Sequence, residues 1–261
     1  MIFIKKKNSE KIFQEKKEGL SFSRFEIKFI LNNKTSISIQ EKIQKFMDLD
    51  GYAKNIASKQ YFVRSLYYDN DNFNNFNEKA DGLKIRHKFR IRTYSKNKNK
   101  FSITYLEKKG RYNERTFKIR KKILVSQLDK FYNNSKNFKL SSEYNNDPLI
   151  NEFIVDTYKK LIKPKVVIDY NRKPFINRLG NYFRLTFDSN IVANASNNLF
   201  NLKNKTKKVI PGFEILEVKF DRTIPPWFQK LIQSFELQKV SVSKYVLGCE
   251  SAGLAYDYEG R

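Results

Sequence analysis

Residues 82–94 read Gly-Leu-Lys-Ile-Arg-His-Lys-Phe-Arg-Ile-Arg-Thr-Tyr, with Arg86, Lys88, Arg90 and Arg92 at every second position and Ile85, Phe89 and Ile91 between them. Folded as a strand, this stretch has one cationic face and one mostly apolar face. Side chains two residues apart on a strand lie about 7 Å apart, so at an effective dielectric of about 20 each adjacent cation pair costs roughly 2 kcal/mol. A solvated face with snorkelling side chains would relieve that cost. A face turned inward would instead require an anion.

The rest of the chain favours the inward arrangement. Lys and Arg number 52 against 27 Asp and Glu, a formal charge of +25, which calls for an anionic partner without choosing among nucleic acid, nucleotide, polyphosphate and membrane surface. A hydrophobic content of 40% over 261 residues fits a globular chain with one sizeable core. The single Cys249 has no intrachain disulfide partner, and the single His87 argues against histidine metal sites and a Ser/His/Asp triad. Catalysis would have to use carboxylates and cations. The N-terminal residues show no signal-peptide pattern, and no later stretch reaches a membrane-spanning length.

The cationic alternation recurs along the chain. Residues 22–30 set Arg24, Glu26 and Lys28 against Phe25, Ile27 and Phe29; 101–109 put Glu107 and Lys109 on one face; 115–123 put Lys118, Arg120 and Lys122 on one face. Gly110 is expected in the turn between the last two strands. Further strands are expected at 61–69, 165–172, 182–188 and 213–221, the last with Glu217, Lys219 and Asp221 on one side. An amphipathic helix is expected from Ser36 to about Leu49, and a helical region over about 124–161 with Asp147 as N-cap and Pro148 behind it. Another helix follows Pro225-Pro226, with Trp227, Leu231 and Phe235 as its apolar stripe.

About eight strands with one charged face each predict an α+β chain: an antiparallel β-barrel whose charged faces line the interior and whose apolar faces carry the amphipathic helices outside. Asp69 and Asp188 are expected to end strands or cap turns, and His87 to face away from the cations.

Taken in order, Arg24-x-Glu26-x-Lys28, Arg64-Ser65-Leu66-Tyr67-Tyr68-Asp69, Asp81-Gly82 with Arg86-x-Lys88-x-Arg90-x-Arg92-x-Tyr94, Glu107-x-Lys109, Tyr170-x-Arg172, Arg184-Leu185-Thr186-Phe187-Asp188, Leu216-Glu217-Val218-Lys219 and Ser243-Lys244-Tyr245 resemble the VTC (vacuolar transporter chaperone) domain. That family belongs to the CYTH-like triphosphate tunnel metalloenzymes, and its catalytic members build inorganic polyphosphate from ATP with Mn2+ or Mg2+. The resemblance implies that Lys28, Arg90, Arg92, Lys109, Lys118, Arg172, Arg184, Lys219 and Lys244 bind phosphate along a basic tunnel. Arg86 and Lys88 would stand towards one mouth or on the same anion, and Arg120 competes with Lys118 for one position. Glu217 matches the family's metal-binding glutamate, with Glu26 and Glu107 as further metal candidates.

The expected function is therefore a cytoplasmic ATP–polyphosphate phosphotransferase. A tripolyphosphate or nucleoside-triphosphate hydrolase and a non-catalytic polyphosphate-binding module stand as alternatives. The expected partners are ATP and polyphosphate, with a separate membrane protein as a further one. Nucleic acid is disfavoured because the cations alternate on strands instead of forming a basic helix or an aromatic-studded sheet motif. Residues 21–250 would form the tunnel domain, 1–20 an arm or lead-in helix and 251–261 a tail. The best-known members also carry an SPX domain and transmembrane helices, and this sequence shows neither.

Overall fold

The computed structural model describes residues 21–100, 102–132, 144, 146–178 and 182–256. The lead-in expected over 1–20 lies outside them. In chain order the elements are β1 (Ser21–Asn32), α1 (Asn33–Ile43), β2 (Met47–Leu49), α2 (Gly51–Lys54), β3 (Tyr61–Asp69), α3 (Asn74–Ala80), β4 (Ile85–Thr93), β5 (Thr104–Tyr112) and β6 (Arg115–Ile123). A 3₁₀ turn (Val125–Gln127), α4 (Leu128–Tyr132), α5 (Pro148–Lys159), β7 (Lys163–Asn177), β8 (Phe183–Asn194), β9 (Lys207–Lys208), β10 (Phe213–Phe220), α6 (Pro226–Ser234) and α7 (Lys244–Ala252) follow. Of the tail expected over 251–261, the first two residues close α7 and 257–261 lie outside the described residues.

One ten-stranded antiparallel sheet organises the chain, in the order β2-β7-β3-β4-β5-β6-β1-β10-β8-β9, and an additional β7–β8 pairing closes it. The closed ring is β7-β3-β4-β5-β6-β1-β10-β8, so the expected barrel of about eight strands is present, with β2 and β9 added at its edges. Closure removes free strand edges and gives every strand an inside and an outside.

The outward faces are apolar and covered by helices. Phe89, Ile91, Leu106 and Leu66 pack with Leu128, Phe131, Leu149 and Phe153 of α4 and α5. Phe29, Leu31, Leu185, Phe187, Leu216 and Val218 pack with Ile39 and Ile43 of α1 and Phe228 and Leu231 of α6. Trp227 is partly buried against this core and stacks on the exposed Phe46 with ring centroids 4.5 Å apart. The α5 entrance is as the sequence predicts: Asp147 accepts from the Leu149 and Ile150 amides at 3.0 and 3.1 Å, with Pro148 in the first turn.

Several expectations change. The first helix starts at Asn33, capped by Asn32, and ends at Ile43; Leu49 belongs to β2, because Met47–Leu49 finds a ladder partner in Phe175–Asn177 of β7. The helical region expected over about 124–161 contains, among the described residues, a 3₁₀ turn, α4 and α5, with 133–143 and 145 outside them. Gly110 is not in a turn. It sits within β5 between His87 and Phe117, and the β5–β6 turn is Asn113-Glu114, with Asn113 at φ 52° in the left-handed region that Asn tolerates.

The interior also differs from a uniformly charged tunnel. Val166 and Ile168 share the inward face of β7 with Tyr170 and Arg172, and with Ile191, Ala193 and Ile215 they pack against Tyr245 and Cys249 of α7. One end of the ring interior is thus apolar and occupied by α7, and the charged cavity fills the remainder. Gly248 allows this approach, since a Cβ there would meet Ile168 Cδ1 at 2.6 Å.

A Cβ on Gly110 would overlap the Phe117 ring lying across it. Gly110→Val should therefore destabilise the fold by about 1–3 kcal/mol, read as a lower urea midpoint at unchanged m-value. An unchanged midpoint would contradict this packing.

Candidate active site

Every cation expected at the site lines one cavity of about 1060 Å3 inside the ring, as do Glu26 and Glu217. Arg86, Lys88, Arg90 and Arg92 come from β4, Lys109 from β5, Lys118 and Arg120 from β6, Lys28 from β1, Lys219 from β10, Arg172 from β7, Arg184 from β8 and Lys244 from the first turn of α7. The period of two sends these side chains inward while Phe89, Ile91, Leu185 and Val218 point out.

Four carboxylates hold most of the cations in place, and Arg184 pairs separately with Asp50 at 2.7 Å. On one wall Arg90 donates from Nε to Glu107 Oε2 at 2.8 Å and brings Nη2 to 2.7 Å, while its Nη1 donates to Tyr67 Oη at 2.9 Å. Arg92 donates to Ser65 Oγ at 3.1 Å and Tyr170 Oη at 3.2 Å. On another, Glu217 accepts from Lys244 at 2.8 Å and from Arg172 and Lys219 at 3.2 Å, with Lys28 at 4.0 Å. Arg172 forms two 2.6 Å hydrogen bonds to Asp188, which also holds Lys244 Nζ at 2.5 Å. Glu26 accepts from Lys109 at 3.1 and 3.2 Å and lies 3.4 Å from Lys28.

Burial raises the carboxyls of Glu217 and Glu26, yet the cations around them outweigh it and hold both below the ordinary range. Glu107 is likewise held down by Arg92, Arg90 and Lys118 against its burial. Lys88 is the contrasting case. Burial, reinforced by Lys109, Lys28, Arg90 and Arg86, lowers its pKa to about 7; its Nζ reaches the Ser243 hydroxyl at 3.3 Å and lies over the Tyr245 ring at 4.9 Å. Burial also lowers Lys118 to about 7, with Glu107 opposing and Arg92, Arg90 and Arg120 reinforcing it.

The structure separates residues that the sequence left together. Lys118 and Arg120 both line the cavity, but Lys118 lies 3.9 Å from Glu107 whereas Arg120 is exposed and lies over the Tyr105 ring at 4.8 Å. Glu107 is fully buried behind Arg90, off the cavity wall. His87 also borders the cavity, and its Nε2 bonds Asp156 of α5 at 2.8 Å with Lys160 Nζ at 3.4 Å. Asp69 caps α3, accepting from the Asn75 and Phe76 amides, as expected of a turn-capping residue. Asp188 is no strand end: β8 runs on to Asn194, which places Asp188 mid-strand beneath Arg172. Tyr67 and Ser65 were hidden in an aromatic strand whose face could not be assigned until Arg90 and Arg92 were seen opposite them.

Oxygen donors for a divalent cation are available. Glu26 and Glu217 stand on the paired strands β1 and β10, two residues out of register on the same face, and share Lys28. Such a pair suits a small hard ion that keeps waters and takes its other ligands from phosphate. Among the described residues no group of three or more His, Cys, Asp or Glu is placed to hold an ion unaided.

A model of the VTC domain matches residues 23–252. The chain belongs to the VTC domain family. Its ring is also similar in fold to an adenylyl cyclase candidate from Hippeastrum with a dominant triphosphatase activity, at 12% identity, covering 87% of this chain and 95% of that one with a TM-score of 0.51. A candidate adenylate cyclase from Bacillus halodurans aligns at 13% identity over 86% of this chain and 95% of that one, TM-score 0.48. No curated protein matches the sequence.

Phosphate beside Lys88 and Lys118 favours their charged forms. Binding of inorganic tripolyphosphate at pH 8 should therefore take up protons, and affinity should fall as pH rises from 7 to 9. Calorimetry in buffers of different ionisation heat measures the uptake, which Lys88→Met/Lys118→Met should abolish. Equal proton exchange in the parent and the double variant would contradict this assignment.

Proposed function

We propose that this VTC domain is a polyphosphate polymerase, transferring the terminal phosphate of ATP to a growing inorganic polyphosphate chain. The observation that carries the reading is the convergence of guanidinium groups and a carboxylate pair on one interior cavity in a chain of this family. Phosphoryl transfer needs positioning and charge stabilisation more than a covalent nucleophile. Arg90, Arg92 and Arg172 offer planar donor arrays that grip phosphate oxygens in two places, and Lys28, Lys109, Lys219 and Lys244 act as point charges between them. Glu217 and Glu26 would hold Mn2+ or Mg2+. The chemistry such an ion supplies is neutralisation of charge on the phosphate oxygens.

The proposed working unit is residues 21–250, flanked by the arm at 1–20 and the tail at 251–261, acting in the cytoplasm on ATP and polyphosphate. Among the described residues no helix is long and apolar enough to cross a membrane, and a separate membrane protein is the partner we would assign for anchoring. Nucleic acid has no part in this reading, because the cations point into a cavity. The triphosphatase activity of the Hippeastrum protein makes hydrolysis the second reading.

Purified protein with ATP and Mn2+ should give a ladder on a polyphosphate-stained gel that a polyphosphate-degrading enzyme removes. Glu217→Gln and Arg90→Ala should each lower turnover by roughly 10²–10³-fold with the fold retained by circular dichroism. Free phosphate without a ladder would assign hydrolysis, and tight polyphosphate binding without either product would assign a binding module.

A further inference from the structure

Two of the four carboxylates never meet the cavity. Glu107 and Asp188 are both 0% exposed and neither lines it, yet each grips cations that do. They lie on different walls, in β5 and β8. Asp188 takes Nε and Nη2 of Arg172 and approaches Lys244 at 2.5 Å. With Nη2 also bonded to Glu217, both N–H groups of Arg172 Nη1 are without a partner among the described residues and remain for a ligand. Glu107 takes Arg90 through Oε2, with Arg92 at 3.7 Å. Among the described residues its Oε1 accepts no hydrogen bond, and it faces Lys118 Nζ at 3.9 Å.

We infer that Glu107 and Asp188 are positioning residues for polyanion turnover, acting through the cations in front of them; this rests on the phosphotransferase reading above. Two effects combine. Each carboxylate fixes the plane of one guanidinium, so that its remaining N–H groups are aimed into the cavity before a phosphate arrives. Each also subtracts a charge from the wall. A chain held by cations alone would bind at many points and advance slowly, whereas partial neutralisation makes each grip weak enough to release. The unbonded Glu107 Oε1 gives Lys118 a resting place whenever phosphate moves on.

This role separates binding from turnover. Glu107→Gln and Asp188→Asn keep size and shape and remove one buried charge. Each should bind tripolyphosphate about tenfold more tightly at low salt, with a steeper loss of affinity as salt rises. Each should at the same time turn over ATP at least tenfold more slowly. A merely structural role would weaken both. Where a charge-removing variant does not fold, Asp188→Glu and Glu107→Asp take its place: they keep the charge and move it, so affinity should stay near that of the parent while turnover falls. Calorimetry with tripolyphosphate is read independently of product formation, so a parent without turnover ends the polymerase reading while the predicted gain in affinity is still measured. Unchanged or weaker tripolyphosphate binding in the charge-removing variants, or, with an active parent, undiminished turnover in any of the four, would overturn the inference.

Discussion

Repulsion among cations facing one another inside a closed ring is the constraint on which this structure depends. Arg90, Arg92, Arg172 and Lys244 are nearly buried, where desolvation and mutual repulsion both oppose the charged state. The protein offsets this with carboxylates placed between and behind them. Burial lowers Arg90, Arg172 and Lys244, but Tyr67 and Glu107 in the first case and Asp188 in the other two reverse it, so all three remain firmly protonated. Lys88 and Lys118 show what happens where compensation is missing or partial, since burial brings both down to about 7. The cavity is therefore set up to receive an anion.

Much of this was legible in the sequence because the ring obeys a simple period. Every inward cation of β4 is two residues from the next, and the apolar residues between them, Phe89 and Ile91, are those that α5 covers. What sequence pattern could not convey was position across the sheet. Gly110 looks like a turn residue beside Arg111 and Tyr112, but its place is decided by Phe117, seven residues on and directly opposite it on β6. Asp188 resembles a strand terminator until β8 is seen to continue to Asn194. Whether Glu107 faces the cavity or lies behind Arg90 depends on side-chain depth, which alternation leaves open.

Asymmetry within the ring was also out of reach. Val166, Ile168, Ile191 and Ala193 have the same alternation as the charged faces, so nothing local marks them as an interior seat for a helix. The motif Ser243-Lys244-Tyr245 reads as a short chain end, but it is the first turn of α7: Lys244 reaches Glu217 while Tyr245 enters the apolar end and donates to Asp69 at 2.5 Å. One turn of helix thus joins the catalytic candidate cluster to the packing that closes the ring. The ring itself does not specify a reaction, which rests on the residues that line it.

The central claim is that an inward cationic surface is held for a phosphate chain, and thermal unfolding tests it most directly. Inorganic tripolyphosphate at about 100 times its dissociation constant should raise the melting temperature by about 5 °C or more, well beyond sulfate at matched ionic strength. Equal small shifts with both anions would mean that the interior charges do not form a phosphate-chain site, and would contradict the account.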